Sequence, residues 1–203
     1  MELSRNGCCI IEQFLDGREI SCNLFLMDGE VRFSVCSNRR VVENLPGGIP
    51  KRHELPAVMS EKEAADTGAL IEKMVKALNL KNGPVYLQLM ITADGPRIIE
   101  AAPRLDGCHL WRLIKLATGV DLMAATFKLL QGLNVEAELK PVRNEPFALE
   151  FRHMPPESRF ECSSFAIPRD ALFSEVYYRE GEKVRAINGR LEKVGYFIQG
   201  ERT

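Results

Sequence analysis

Two different periods run along this chain. Residues 20–27 alternate apolar and polar, and Asp28-Gly29 forms a two-residue turn into a second strand at 31–35. A short apolar run at 8–11 reads as a further strand ahead of them. The stretch 44–56 holds three prolines and two glycines, and it is expected to be a loop. The period then lengthens. Ser60 with Glu63 makes a capping box, and Leu70, Ile71, Met74, Val75 and Leu78 mark one face of the helix that follows.

Asn82-Gly83-Pro84 ends that helix. A second hairpin is expected from 85–92 and 97–101, around Ala93-Asp94-Gly95-Pro96. Helices follow over 107–118, closed by Gly119, and from Asp121 to a stop at Gly132. From about Val135 the texture becomes short strands with polar turns, such as 147–153 and 174–179. The pattern predicts an α+β fold, an antiparallel sheet with packed helices. It divides into a first lobe over 1–132 and a small β-rich subdomain over 133–203.

Composition narrows the classes. The 203 residues are 45% hydrophobic and 27% charged, enough for a real core. Twenty-seven basic against 28 acidic residues leave no basic footprint, so neither nucleic acid nor an anionic membrane is an expected partner. Met1 to Asn6 lack the apolar core of a signal peptide, and no run is long enough to span a bilayer, which points to a cytoplasmic protein. Cys8, Cys9, Cys22, Cys36, Cys108 and Cys162 form no CxxC pair and are expected to be reduced thiols. His53 in the loop and His153 at a strand end read as surface residues. Trp111, Leu113, Ile114 and Leu116 read as core.

Candidate chemistry sits at strand ends. An apolar strand runs into Glu12-Gln13-Phe14-Leu15-Asp16-Gly17-Arg18-Glu19. Such a strand can lay its backbone along the edge of adenine, and a carboxylate seven residues on can accept ribose hydroxyls. A solvated turn would look the same. The second hairpin continues through Glu100-Ala101-Ala102-Pro103-Arg104-Leu105-Asp106-Gly107. Glu100 stands in an apolar run, so burial on one side is expected, and a buried carboxylate needs a metal or an ion pair. Magnesium takes one or two carboxylates plus phosphate oxygens. Arg104 could hold a carboxylate or a transferring phosphoryl group, or simply pair with Glu100. His109, at a helix start beside Arg104, is a further candidate substrate contact.

Taken in order, E-Q-F-L-D-G-R-E, then G-P-V-Y-L-Q-L-M-I-T-A-D-G-P-R-I-I-E-A-A-P-R-L-D-G, then A-T-G-V-D-L resembles the ATP-grasp superfamily over about residues 7–132. Within it the stretch is similar to the L-amino-acid ligases, biotin carboxylase and the large chain of carbamoyl phosphate synthase. The resemblance implies a ligase that uses ATP and Mg2+ to activate a small-molecule carboxylate as an acyl phosphate, which an amine then attacks. It implies that Glu12, Gln13, Phe14 and Leu15 form the adenine hinge and that Glu19 takes the ribose. Gln88 and Glu100 fall on magnesium-binding positions, Ala102 on a third position that usually carries Asn, and Arg104 on the arginine that meets the carboxylate or acyl phosphate. Arg39 and Arg40 fall near a basic segment that faces phosphate or substrate.

Gln88 and Ala102 depart from the family pattern and leave one full carboxylate. The family also places an amino-terminal half, with its phosphate-binding lid, before the hinge. This chain is therefore expected to be a carboxyl-terminal part that lacks its amino-terminal half as a partner and is inactive alone. Pro46-Gly47-Gly48 has no strand–helix context for a phosphate loop. The alternative is a catalytically degenerate nucleotide-binding or interaction module, or a purely structural domain. Assembly into a homo-oligomer is left open.

Overall fold

The computed structural model describes residues 4, 7–45, 48–187 and 189–201. Met1 to Leu3, Arg5 and Asn6, like Pro46 and Gly47 of the glycine-containing stretch, lie outside the described residues. The order of elements is β1 (Arg18–Met27), β2 (Glu30–Val41), β3 (Pro50–Leu55), α1 (Glu61–Ala77), β4 (Gly83–Thr92), β5 (Gly95–Ala102), α2 (Leu110–Thr118), α3 (Leu122–Leu130), β6 (Phe147–Met154), β7 (Phe173–Val176) and β8 (Glu192–Gly200).

The local signals act as their chemistry requires. Asp28 and Gly29 both take positive φ, 53° and 82°, the mirror-image turn whose twist matches a hairpin. The Ser60 side chain accepts the Glu63 N–H, while the Glu63 carboxylate takes the Ser60 N–H, and α1 starts there. Gly119 closes α2 at φ 83°, and Asp121 caps α3 by accepting from the Ala124 N–H.

Eight strands make one antiparallel sheet in the order β5-β4-β1-β2-β3-β6-β8-β7. With the helices on it, the α+β class read from the sequence holds. β3 pairs with β6, so the sheet runs without a break from the first segment into 147–200. That later segment adds its own small apolar cluster of Phe160, Phe165, Tyr178, Val184 and Val194.

Strand pleating sends alternate residues to opposite faces. Ile20, Cys22, Leu24 and Leu26 of β1 join Val85, Leu87, Leu89 and Ile91 of β4 under Ile71, Met74 and Val75 of α1. On the other face, Phe25, Phe33 and Tyr86 pack beneath α2 and α3 through Leu110, Leu113, Ile114 and Leu122. β1 is thus covered on both sides, and Ile20 to Leu26 are all buried instead of alternating with exposed residues. Burial on α1 is shifted by one turn from expectation. Thr67 is buried, whereas Leu78, which follows the last helical turn, is 55% exposed.

Four other expectations are corrected. Residues 8–11 form no strand, and Ile10 and Ile11 are 87% and 90% exposed, because both edges of β1 are already taken by β2 and β4. The expected loop 44–56 contains β3, whose residues pair with β2 and β6 despite the prolines. His53 lies on β3 and is fully buried, not at the surface. Cys22 and Cys36 are joined by a disulfide, since the β1–β2 register places them directly opposite with Cα atoms 4.2 Å apart. Cys8, Cys9, Cys108 and Cys162 are free thiols.

Candidate functional site

The candidate side chains collect on the sheet face opposite α1, at the end that α2 and α3 leave open. Register explains why. Ser21 of β1 is opposite Gln88 of β4 on one side and Ser37 of β2 on the other, and Gln88 is opposite Glu100 of β5. Residues two along from these, Glu19 and Arg39, share the same face.

Contacts link them in sequence. The Gln88 Nε2 donates to Glu19 Oε2 at 2.8 Å. Arg39 forms a short ion pair with the same Glu19 oxygen and donates to the Gly48 carbonyl at 2.7 Å. Across β5, Arg104 pairs with Glu100 at 3.3 Å, donates to the Leu105 carbonyl and lies 5.9 Å from the centre of the Tyr86 ring. Glu19, Arg39, Gln88, Glu100 and Arg104 are therefore brought together by five different segments.

Beneath them runs a buried polar row. The Tyr86 and Ser21 hydroxyls are 3.2 Å apart, Ser37 donates to the Ser21 carbonyl, and the Ser37 hydroxyl meets His53 Nδ1 at 3.4 Å. His53 Nε2 has no partner among the described residues. Burial, with the charges of Arg39 and Lys193 nearby, pushes the His53 pKa down to about 3, so the ring is neutral. Burial likewise raises the Tyr86 phenol to about 12.

Two cavities have Arg39 in both their linings, the first reaching to the α1 side of the sheet through Asn38, Arg40 and Val58. One, of about 760 Å³, is lined by Gly17, Arg18, Glu19, Arg39, Arg40 and Lys51 among others. The second, of about 550 Å³, takes in Gln88, Glu100 and Arg104 and is closed by Asp106, Cys108, Tyr177 and Lys193. Burial raises the pKa of both Asp106 and Cys108, and the Cys108 N–H donates to the Asp106 carboxylate.

Other candidates lie elsewhere. Glu12, Gln13 and Phe14 are exposed on the segment leading into β1, with Leu15 half-buried. The far end of that segment is fixed by Gly17, where a Cβ would stand 2.2 Å from the Ile91 carbonyl oxygen. Arg40 alternates to the α1 side of β2, where it pairs with Glu54 at 3.3 Å. His109 stacks on Tyr196 with ring centres 4.5 Å apart, and its Nε2 meets the Tyr177 hydroxyl at 2.9 Å. Burial lowers its pKa, so it sits as a neutral ring in an aromatic cluster beside the second cavity. Glu100 is exposed, not buried on one side, because β5 is an edge strand of the sheet.

Among the described residues no three His, Cys, Asp or Glu side chains come close enough to enclose a metal. Glu100 and Gln88, opposite each other on one face, nonetheless fit a magnesium ion that takes most of its ligands from phosphate and water. The donor set is one carboxylate and one amide carbonyl, since the Gln88 nitrogen is committed to Glu19.

Sequence reasoning missed Tyr86, Asp106, Cys108, Tyr177 and Lys193. Asp106 and Cys108 adjoin Arg104 and could have been found by proximity. Lys193 carries no local signal, because only the pairing of β8 with β6 brings it to the site.

A family model described as the ATP-grasp domain matches residues 2–110. The chain is 26% identical over 139 residues to carnosine synthase 1 of Homo sapiens, covering 68% of this chain and 17% of that protein. It is 28% identical over 177 residues to a phosphoribosylamine--glycine ligase of Methanococcus maripaludis, covering 71% of this chain and 39% of that one. Among solved structures, phosphoribosylglycinamide synthetase from Anaerococcus prevotii superposes on all of this chain and 53% of its own, with TM-score 0.76 at 20% identity. An L-amino acid ligase from Bacillus licheniformis gives 0.73 at 17% identity, over 94% of this chain and 48% of its own. The chain thus spans about half the length of these structures and less of the curated relatives. No helix among the described residues is long and apolar enough to cross a membrane.

Proposed function

The chain belongs to the ATP-grasp family, and from that premise we propose that it is the carboxyl-terminal part of a Mg-ATP-dependent carboxylate–amine ligase. In this reading the acid is activated as an acyl phosphate and an amine displaces the phosphate. The observation that carries it is the pair of cavities that have Arg39 in both their linings. The one beside Gly17 and Glu19 suits a nucleotide whose adenine lies along residues 12–15. The one holding Glu100 and Arg104 suits the acid.

Each side chain has a task under this proposal. Glu19, fixed by Gln88 and Arg39, accepts ribose hydroxyls. Arg39, on the wall common to both cavities, faces the phosphoryl group as it passes from nucleotide to acid. Arg104 orients the acceptor carboxylate and balances the charge that develops on it. Glu100, with the Gln88 carbonyl, would hold magnesium, which supplies charge neutralisation on the phosphates. Arg40 extends the basic lining of the nucleotide cavity, and His109 supports the acid site from below through Tyr177.

A second reading has its own support. Gln88 is tied to Glu19 and Ala102 offers no ligand, which suits a module that binds nucleotide without turning it over. The test is ADP release by this chain, alone and joined to an amino-terminal ATP-grasp half, across panels of acids and amines. The proposal expects no turnover from the chain alone. It expects turnover from the joined protein that needs both an acid and an amine and disappears in Glu100→Gln. Turnover indifferent to the acid, or surviving Glu100→Gln, would overturn it.

A further inference from the structure

Four cations and three acids line the acid-side cavity. Its three acids are all engaged. Glu100 holds Arg104. Asp106 accepts the Cys108 N–H. Glu192, 1% exposed, accepts the backbone N–H groups of Ile187 and Gly189, each at 2.9 Å. On the basic side Arg39 belongs to Glu19. Two cations remain, Lys193 and Arg185, and neither forms an ion pair among the described residues.

Lys193 is the telling one. It projects from β8, half-buried, with its Nζ 3.3 Å from Cys108 Sγ and 4.1 Å from the centre of the Phe151 ring. A thiol and an aromatic face are weak partners for a half-buried ammonium, and the Asp106 carboxylate acts on it through its field and not through an ion pair. Arg185 stands near it on the same lining, its guanidinium 5.5 Å from the centre of the Tyr178 ring. Tyr177 completes an aromatic wall beside the two cations. Lys193, Arg185, Tyr177 and Tyr178 all lie beyond the stretch matched by the family model, residues 2–110.

We infer that Lys193 and Arg185 form a second anion subsite, so that the acid substrate carries another anionic group besides the carboxylate to be activated. The inference rests on the proposed ligase reading for its first carboxylate, at Arg104. A cavity of about 550 Å³ holds a small dianionic metabolite at both ends. The second group is a carboxylate or a phosphate, and either would make charge-assisted hydrogen bonds with Lys193.

Calorimetric titration of this chain without nucleotide tests the subsite apart from any turnover. The probes are succinate against propionate for a carboxylate, and phosphoglycolate against glycolate for a phosphate. At least one dianion should bind about tenfold tighter than its monoanion, the worth of one charge-assisted hydrogen bond. The preferred pair identifies the second group. Lys193→Met should erase the preference, Lys193→Arg should keep most of it, and Arg185→Gln, at an exposed position, should reduce it. Equal affinities within both pairs, failure of both dianions to bind, or a preference surviving Lys193→Met in a chain that still melts cooperatively would each overturn the inference. Should Lys193→Met fail to fold, an undiminished preference in Arg185→Gln overturns it instead. ADP release that fails while the dianion preference stands would sink the ligase reading alone.

Discussion

β1 and β4 present two faces built from the same strands. Toward α1 they show Ile20, Cys22, Leu24, Val85, Leu87 and Leu89, closed and apolar. Toward the open side they show Glu19, Ser21, Tyr86 and Gln88, polar and cross-linked by hydrogen bonds. The period of two lets adjacent residues serve opposite ends, one holding the sheet and the next holding the chemistry. Substitutions on the two faces should therefore fail differently.

The largest expected effect is on the closed face. Leu87 is fully buried, and Leu87→Ala should cost about 2–5 kcal/mol in urea unfolding through lost burial and the cavity left behind. A smaller loss would mean that α1 collapses onto the gap. That would weaken the contrast.

Next comes the polar floor. His53 titrates near 3 in the fold against 6.5 when free, and His153 is lowered to about 4, mainly by burial. The unfolded chain binds these protons first, so stability is full above pH 6.5 and falls as pH drops toward 3. Each histidine adds a slope of about 1.4 kcal/mol per pH unit within its own window, from pH 6.5 down to about 3 for His53 and about 4 for His153. The urea midpoint followed against pH should show this, and His53→Gln should reduce the slope. An unchanged slope would remove His53 from the account.

Gln88→Glu tests the open face directly. It sets a carboxylate against Glu19, where an amide now donates at 2.8 Å. Without metal it should lower stability by about 1–2 kcal/mol through like-charge repulsion. With magnesium it should recover, and the metal should raise the melting temperature more than in the parent chain. The same melting response to magnesium in both proteins would separate Gln88 from any metal.

Glu100→Gln should have the least effect on the fold, within about 0.5 kcal/mol, because Glu100 is exposed on an edge strand and its ion pair with Arg104 is solvated. Magnesium-dependent nucleotide binding should nevertheless vanish. Loss of stability comparable to Leu87→Ala would show that the two faces are not separable in this way.

Much of this was legible beforehand, for a physical reason. Turns and caps are local, so Asp28-Gly29, Ser60 with Glu63, Gly119 and Asp121 specify their elements from a few neighbouring residues. Hairpin register is local too, up to the irregularity between Gln88 and Leu89 that sets Gln88 opposite Glu100 and not Ile99. What required the tertiary structure was pairing across long separations. β3 was hidden inside a proline-bearing stretch because its partners are β2 and the distant β6. The exposure of Glu100 follows from β5 being an edge, which an apolar run cannot reveal. Burial of His53 and the arrival of Lys193 beside Cys108 depend on which strand lies next to which, and the Cys22–Cys36 link depends on the irregularity between Phe25 and Leu26 that shifts the β1–β2 register by one residue. The sequence by itself determined the two hairpins β1–β2 and β4–β5, the three helices, their turns and caps, and the two-faced alternation of the central strands. Only the packed sheet decided which face stayed open and which charges met there, because burial and electrostatics are properties of neighbours in space.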